Sequence, residues 1–458
     1  EDDRISELPD VILIKILSLL NTVEAASTSV LSKRWQYAWT HVTALNLYSP
    51  KKLRVIEKAS KLVTYVRADE YIDMVKRVMQ LHQATCITDF KVFFFMTGRE
   101  FDCNVDEWFS FAIQKSVQRL AINLGGSTLL GGRREKRTVG FTSVVPLPDT
   151  FHAPTNKVYS LIKSPYGLSC IQSLTELSLT CVNVTGELVE HFLSNCPLLL
   201  GLHVCFSQHL VHLNVAGPSL CLKFLEISGC PHLEYLDIYA PSLASFICLG
   251  LEPSTQVLLR HAPLLVYLTA AHPKGFLNAL PASHFSQLEN LTLSFDFRWV
   301  SLILSLVVDC DASAPPVFPE WTNLKNLTFA GYANEEHSFL DWISLIEKAP
   351  ILRTFTLQLM SSKRIRTEVR MKPTERHLHR CLEVVKFVGS IDFELALYFF
   401  QSAVSLKAII VDRRHPSLEP WQEFEENESS MLLKNHARDL EAQLTPIPPK
   451  KIKLVICP

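Results

Sequence analysis

The chain lacks a charge imbalance. Its 45 Lys and Arg stand against 46 Asp and Glu, a formal charge of -1 over 458 residues. Bulk electrostatic attraction to nucleic acid is therefore not implied. Long apolar runs are lacking as well. The longest, such as residues 300–308, are short or interrupted, and no membrane span is expected. A basic leader is missing: Glu1-Asp2-Asp3-Arg4 is the opposite of a secretory start, and without an initiator Met the N-terminus is expected to be trimmed. Twelve cysteines are present, yet none forms Cys-x-x-Cys, and a chain of this size needs no disulfide staples. Buried thiols in a reducing compartment are expected, and the Asn-x-Ser/Thr triplets at Asn183, Asn290, Asn326 and Asn427 read as chance matches.

Catalytic and metal signatures are also wanting. Gly126 and Gly131 have the spacing of a phosphate loop, but Gly132-Arg133 stands where Lys-Ser/Thr must follow. His377 and His379 have no third ligand nearby, and a zinc site wants three or four. Neither His-Glu-x-x-His nor Gly-x-Ser-x-Gly occurs. Cys196 and Cys230 each precede Pro, where a small thiol packs in a turn. No catalytic residue, metal or cofactor is expected.

What the chain does have is a concentrated apolar start. Residues 5–39 fit three short helices. The first opens at Pro9, whose missing N–H costs nothing there, with Asp10 complementing the helix dipole. Ile12, Ile16, Leu19 and Leu20 recur at helical spacing, and Val11, Leu13, Ile14 and Leu17 are apolar too, so the helix is greasy nearly all round. Asn21 or Thr22 caps a second helix, with Glu24 as capping-box partner of Asn21. Ser32 caps a third, on which Trp35 and Trp39 share a face. So short a segment cannot bury that much surface alone. Each exposed Leu or Ile forfeits roughly 1.5–3 kcal/mol, so something else must cover the outer face. A downstream domain of the same chain or a partner protein are the two candidates.

Asp3-Arg4-Ile5-Ser6-Glu7-Leu8-Pro9-Asp10, followed by Thr28-Ser29-Val30-Leu31-Ser32-Lys33-Arg34-Trp35, closely resembles the F-box in its plant form. Asn21 stands where the family often has Pro. The resemblance implies a docking head that binds a Skp-type adaptor and, through it, a cullin. The positions it assigns to adaptor binding are Leu8, Pro9, Ile12, Ile16, Leu17, Val30, Leu31 and Trp35.

Beyond the third helix a pattern recurs: apolar-x-x-apolar-x-apolar. It begins at Val42, Ile87 and Val117, and from Leu174 becomes dense, with starts at Leu199, Leu210, Leu222, Leu233, Leu243, Leu265, Leu288, Leu324, Leu352, Leu382 and Leu406. Steps of roughly 22–30 residues are the signature of leucine-rich repeats. Each match predicts a short strand with alternate residues inward, and no repeat can bury its apolar face alone. Between Leu199 and Leu243 the starts come too close together for a helix to intervene. Strands on both faces are predicted there, turned at Gly217-Pro218, Cys230-Pro231 and Ala240-Pro241. Elsewhere helices are predicted over residues 186–193 and 339–348, each ending before an x-Pro pair.

Three insertions interrupt the repeats: 125–163, 310–319 and 360–376. The first holds the basic cluster 133–137, which suits a solvated loop, a nuclear-import signal or a patch for an acidic partner. Strands are expected at 141–145 and a return to the repeats over 151–162. Phe93, Phe94 and Phe95 read as core, although successive strand residues face opposite sides and Phe94 need not share the burial of its neighbours. From His379 a strand over 382–389, a helix over 393–402 and a strand over 406–412 are similar to the FBD-type block of plant F-box proteins, expected to cap the last repeat. Residues 423–428 are acidic and expected in solvent. Ile452, Leu454 and Ile456 suggest an edge strand.

The predicted class is α/β: a three-helix F-box (1–41), an irregular leucine-rich-repeat solenoid (42–376) with a curved parallel sheet and helices and some strands on its convex face, and an FBD-like C-terminal repeat and cap (377–458). By resemblance, the chain is expected to be a non-catalytic, substrate-recruiting subunit of a ubiquitin ligase in cytoplasm or nucleus. A repeat-based receptor for a small molecule, an F-box protein acting outside any ligase, and an enzyme remain open alternatives.

Overall fold

A computed structural model of the chain describes residues 5, 8–47, 68–93, 102–124, 172–217, 220–252, 254–271, 286–296, 320–332, 343–360, 378–412, 431, 434–435, 437–440 and 452–457. The loop 125–163 with its basic cluster, Phe94 and Phe95, the insertions 310–319 and 361–376, His377 and the acidic stretch 423–428 lie outside them. The described residues fall into two compact units, the first ending at Leu243 and the second beginning at Ala244.

The first unit opens with the head: α1 (Asp10–Leu17), α2 (Thr22–Ser27) and α3 (Trp35–Ala38), with single 3-10 turns at Thr28–Val30 and Trp39–His41. The predicted caps are in place. Asn21 Oδ1 accepts the Glu24 N–H at 2.9 Å, and Ser32 Oγ accepts the Trp35 N–H at 3.4 Å. Pro9 occupies the N-cap position of α1.

Next come β1 (Ala44–Leu47), α4 (Ala68–Leu81), β2 (Asp89–Phe93), α5 (Asp102–Gln114), β3 (Arg119–Asn123), β4 (Glu176–Thr180), α6 (Gly186–Asn195), β5 (Gly201–Cys205), β6 (His212–Ala216), β7 (Phe224–Ser228) and β8 (Tyr235–Tyr239). Parallel pairing runs β1-β2-β3-β4-β5-β7. The repeat pattern sets the register: Leu45, Phe90, Leu120, Leu177, Leu202 and Leu225 stand side by side, all buried. The predicted strands on a second face are present too, since β6 is passed over by the main sheet and pairs with β8.

Two helices went unpredicted. α4 buries Ile72, Val75 and Val78, and α5 buries Val105, Trp108, Phe109, Ala112 and Ile113. The start of α6 presses on β6: a Cβ added to Gly186 would lie 1.8 Å from the His212 carbonyl oxygen. Just beyond β4, β5 and β7, Cys181, Phe206 and Gly229 take φ of 57°, 61° and 62°. Only glycine enters that left-handed region without cost. The ladder still extends through them, Cys181 N–H donating to the Cys205 carbonyl and Phe206 N–H to that of Ser228, both at 2.8 Å.

The second unit carries β9 (Ser245–Leu249), β10 (Gln256–His261), β11 (Tyr267–Ala271), β12 (Asn290–Asp296), β13 (Asn326–Tyr332), α7 (Ile343–Glu347), β14 (Thr354–Met360), β15 (Val384–Val388), α8 (Phe393–Ser402), β16 (Ala408–Asp412) and β17 (Lys453–Cys457). β9 pairs directly with β11, bypassing β10, and parallel pairing continues in chain order to β17. Thr269, Thr292, Thr328 and Thr356 form one row across four strands. Helix α8 matches its predicted bounds, capped by Asp392, whose carboxylate accepts the Leu395 N–H at 2.9 Å. The described part of the C-terminal block continues the repeats. β15 pairs with β14 and β16 with β15 in unbroken register, so this block lengthens the sheet by further rungs. β15 and β16 carry the same buried pair, Val385 with Phe387 and Ile409 with Val411, as the rungs before them, whereas β17 buries none of its residues.

Candidate protein-docking site

Helix α1 is apolar on both sides, and the two sides have different fates. Leu13 and Leu17, one turn apart, are buried at 0% and 1% exposure. Val11, Ile12, Ile16 and Leu19 face outward at 75%, 42%, 39% and 82%. Val23 on α2, Val30 and Leu31 in the turn that follows, and Tyr37 on α3 are exposed as well. So many large apolar groups on so small a head form an exposed apolar surface of the kind that marks interaction sites.

Of the residues assigned by resemblance, Pro9, Ile12, Ile16, Val30 and Leu31 are exposed and Leu8 is half-buried. Leu17 and Trp35 are buried and unavailable to a partner in this arrangement. Leu17 shares the inward face of α1 with Leu13. Trp35 shares the inward side of its helix with Trp39, which follows one turn later. Both support the surface from beneath. Val11, Leu19, Val23 and Tyr37 belong to the exposed set and were not assigned. For Val11 and Leu19 the signal was helical phase: they share the outward arc of α1 with Ile12 and Ile16.

The head is joined closely to the first rungs of the sheet. His82, just after α4, is buried, and its Nε2 bonds the Val42 carbonyl at 2.8 Å. Burial holds its pKa below the usual histidine value, with the positive charges of Lys115 and His41 adding to the depression and the Val42 bond opposing it. Gln83 N–H donates to the Thr40 carbonyl at 2.8 Å.

On the sheet of this unit, residues alternating with the core leucines make a polar face. Arg119 Nε donates to Asp89 Oδ1 at 2.7 Å while its terminal nitrogen bonds Oδ2, and Lys91 Nζ stands 3.4 Å from the same carboxylate. Burial alone would raise the Asp89 pKa; the Arg119 bond and the charges of Lys91 and Arg119 outweigh it and hold the value below the usual range. Further along, His203 Nδ1 is 2.9 Å from Glu226 and Nε2 is 3.9 Å from Glu176. Between these charged groups, the hydroxyls of Ser178, Thr180 and Ser228 are buried and have no hydrogen-bond partner among the described residues.

Three buried thiols resist ionisation. Burial pushes the thiols of Cys181, Cys196 and Cys230 up to about 12, the nearby Cys230 adding to the shift at Cys181. Two of the cysteines expected inside, Cys86 and Cys221, are exposed. No cluster of three metal-ligating side chains occurs among the described residues, and no described helix is long and apolar enough to cross a membrane.

A helical docking head followed by parallel strands that repeat one buried pattern defines a repeat protein with an N-terminal protein-binding module. Residues 5–44 match the F-box domain, and residues 78–443 match the At1g61320/AtMIF1 leucine-rich-repeat domain. The chain therefore belongs to the plant F-box proteins that carry a leucine-rich-repeat domain of the At1g61320/AtMIF1 type. Proteins of Arabidopsis thaliana are among its relatives. The putative FBD-associated F-box protein At5g56440 is 26% identical over 66% of this chain and 72% of its own length. The FBD-associated F-box protein At4g10400 is 31% identical over 53% of this chain and 55% of its own. The F-box/FBD/LRR-repeat protein At2g04230 is 28% identical over 52% and 53%.

Proposed function

We propose that the chain is the substrate-recruiting subunit of a Skp-cullin-F-box ubiquitin ligase, gripping the adaptor with its head and a target protein with its repeats. One observation carries the reading: α1 and the turn at Thr28–Val30 present Val11, Ile12, Ile16, Leu19, Val30 and Leu31 to solvent over a core already filled by Leu13, Leu17 and Trp35. That is the anatomy of an interface whose partner completes it. Residues Leu8, Pro9, Ile12, Ile16, Val30 and Leu31 are proposed as adaptor contacts, with Val11 and Leu19 added.

The polar sheet face of the first unit, with its Asp89–Arg119 and His203–Glu226 pairs, is proposed as part of the target-binding surface. The chemistry is proximity. Holding target and adaptor at once raises the local concentration of target lysines near a charged conjugating enzyme carried elsewhere in the complex. No side chain of this chain takes part in bond making, and the workplace is cytoplasm or nucleus. The decisive experiment pairs full-length chain with a purified Skp-type adaptor and a cullin. Val30→Asp should abolish co-purification of both while the thermal midpoint stays put; undiminished co-purification would remove the ligase reading.

A second reading has one observation in its favour. The buried hydroxyls of Ser178, Thr180 and Ser228 offer donors and acceptors on the same face, as a site for a small polar molecule between repeats and target would. Ser178→Ala/Thr180→Ala weakening target capture in dialysed protein as much as in cell extract would speak against it.

A further inference from the structure

Helix α1 begins without a side-chain cap. Pro9 stands at the N-cap position and contributes no side-chain bond, while its carbonyl accepts the N–H groups of Ile12 and Leu13 at 2.9 and 3.1 Å. What holds this end of the helix is a residue 24 positions on. Arg34, at the start of α3, donates from Nε to Asp10 Oδ1 at 3.0 Å and from a terminal nitrogen to the same oxygen at 2.7 Å. That terminal nitrogen also bonds the Leu8 carbonyl. One guanidinium therefore grips the chain on both sides of Pro9, by a side chain after it and a backbone oxygen before it.

From this geometry we infer that Arg34 is a positioning residue for adaptor docking: it sets the direction in which Leu8, Pro9 and Ile12 are presented. The inference rests on the proposed docking role of the head. Two facts favour presentation over stability. Asp10 is 76% exposed and Arg34 36%, and ion pairs so open to water add little to folding. The rigid fork of an arginine, bonded to two acceptors, fixes geometry as a lysine cannot. The residues it orders are the least anchored part of α1, since Leu13 and Leu17 hold the far turns in the core while Leu8 and Pro9 stay outside it.

The test titrates full-length chain with a purified Skp-type adaptor in a calorimeter, with thermal melts alongside. Arg34→Met should weaken binding about tenfold, the scale of one charge-assisted hydrogen bond, with the melting midpoint little changed. Asp10→Asn should lose part of that. Arg34→Lys keeps the charge, guards against misfolding of the methionine variant, and should still bind more weakly than wild type. Combined with Pro9→Ala, Arg34→Met should cost no more than the worse single change, because both disturb one presentation. Additive losses would show that Arg34 acts on the partner independently and would overturn the inference. Wild-type affinity in Arg34→Met and Arg34→Lys, beside abolished binding in Val30→Asp, would overturn it while leaving the docking face intact. Wild-type affinity in Val30→Asp as well would remove the docking reading and this inference together.

Discussion

Ser18 Oγ accepts the backbone N–H of Thr43 at 3.1 Å and donates its own proton to the Ile14 carbonyl at 2.8 Å. The Thr43 carbonyl accepts the Thr88 N–H at 2.7 Å, and that of Thr88 accepts the Arg119 N–H at 2.8 Å. A continuous line of hydrogen bonds thus leaves the docking helix and enters the second and third strands. Ser18→Ala cuts it at the first link. The expected cost is about 0.5–1.5 kcal/mol, since Thr43 is exposed and water can replace the lost acceptor. Denaturant melts of the two proteins would read it, and no loss would show that the junction is held by packing alone.

The proposed docking role assigns support to one face of α1 and partner contact to the other. Leu17→Ala empties a site that is 1% exposed and should cost about 2–5 kcal/mol, while the protein that remains folded binds adaptor normally. Leu19→Asp, at an 82% exposed site, should leave the melting curve in place and weaken adaptor binding. Measuring both properties in both variants checks the assignment, and a large stability loss in Leu19→Asp would refute it.

Gly186→Ala should be among the most damaging single changes in the first unit. The new Cβ would meet the backbone oxygen of His212, which no side-chain rotation can clear. A loss of about 3 kcal/mol is expected, at the upper end for overpacking. Wild-type stability in this variant would mean that α6 and β6 separate freely.

Acid should unfold the first unit in two stages. Neutral His82 is buried with a pKa held below its unfolded value of about 6.5, so its contribution is complete above that pH and falls as the pH drops through it. Asp89 is depressed as well, from an unfolded value of about 3.9, and its contribution is lost only below that, through a still lower folded value. His82→Phe should remove the first stage from a stability–pH profile and leave the second. A profile unchanged between pH 7 and 5 in wild type would contradict the assignment.

Much of this was legible because the repeat writes itself in apolar spacing. Every strand of the main sheet except β17 lies on a predicted match, β17 following instead from the alternation of Ile452, Leu454 and Ile456, and even the alternation of sheets between Leu199 and Leu243 follows from starts too close for helices. α4 and α5 were missed although their buried positions, Ile72-Val75-Val78 and Val105-Trp108-Phe109-Ala112-Ile113, carry helical periodicity. Their helical period lies between strand matches of a different period and does not stand out beside them. β10 was missed because Val257 and Leu259 offer only two inward residues without the leading leucine. In the head, composition identified the helix but not which side faces inward: Leu17 and Leu19 are chemically alike, and only their burial in the fold, 1% against 82% exposed, distinguishes them.

The left-handed turn after β4, β5 and β7 recurs with three different residues, Cys181, Phe206 and Gly229, at nearly the same φ. Backbone shape at that step is thus imposed by the neighbouring rungs and tolerates a thiol, a ring or no side chain at all. A scaffold of this kind lets a lineage rewrite its recognition chemistry one rung at a time while the folding problem stays solved, which is a physical route to large families of paralogues with divergent targets.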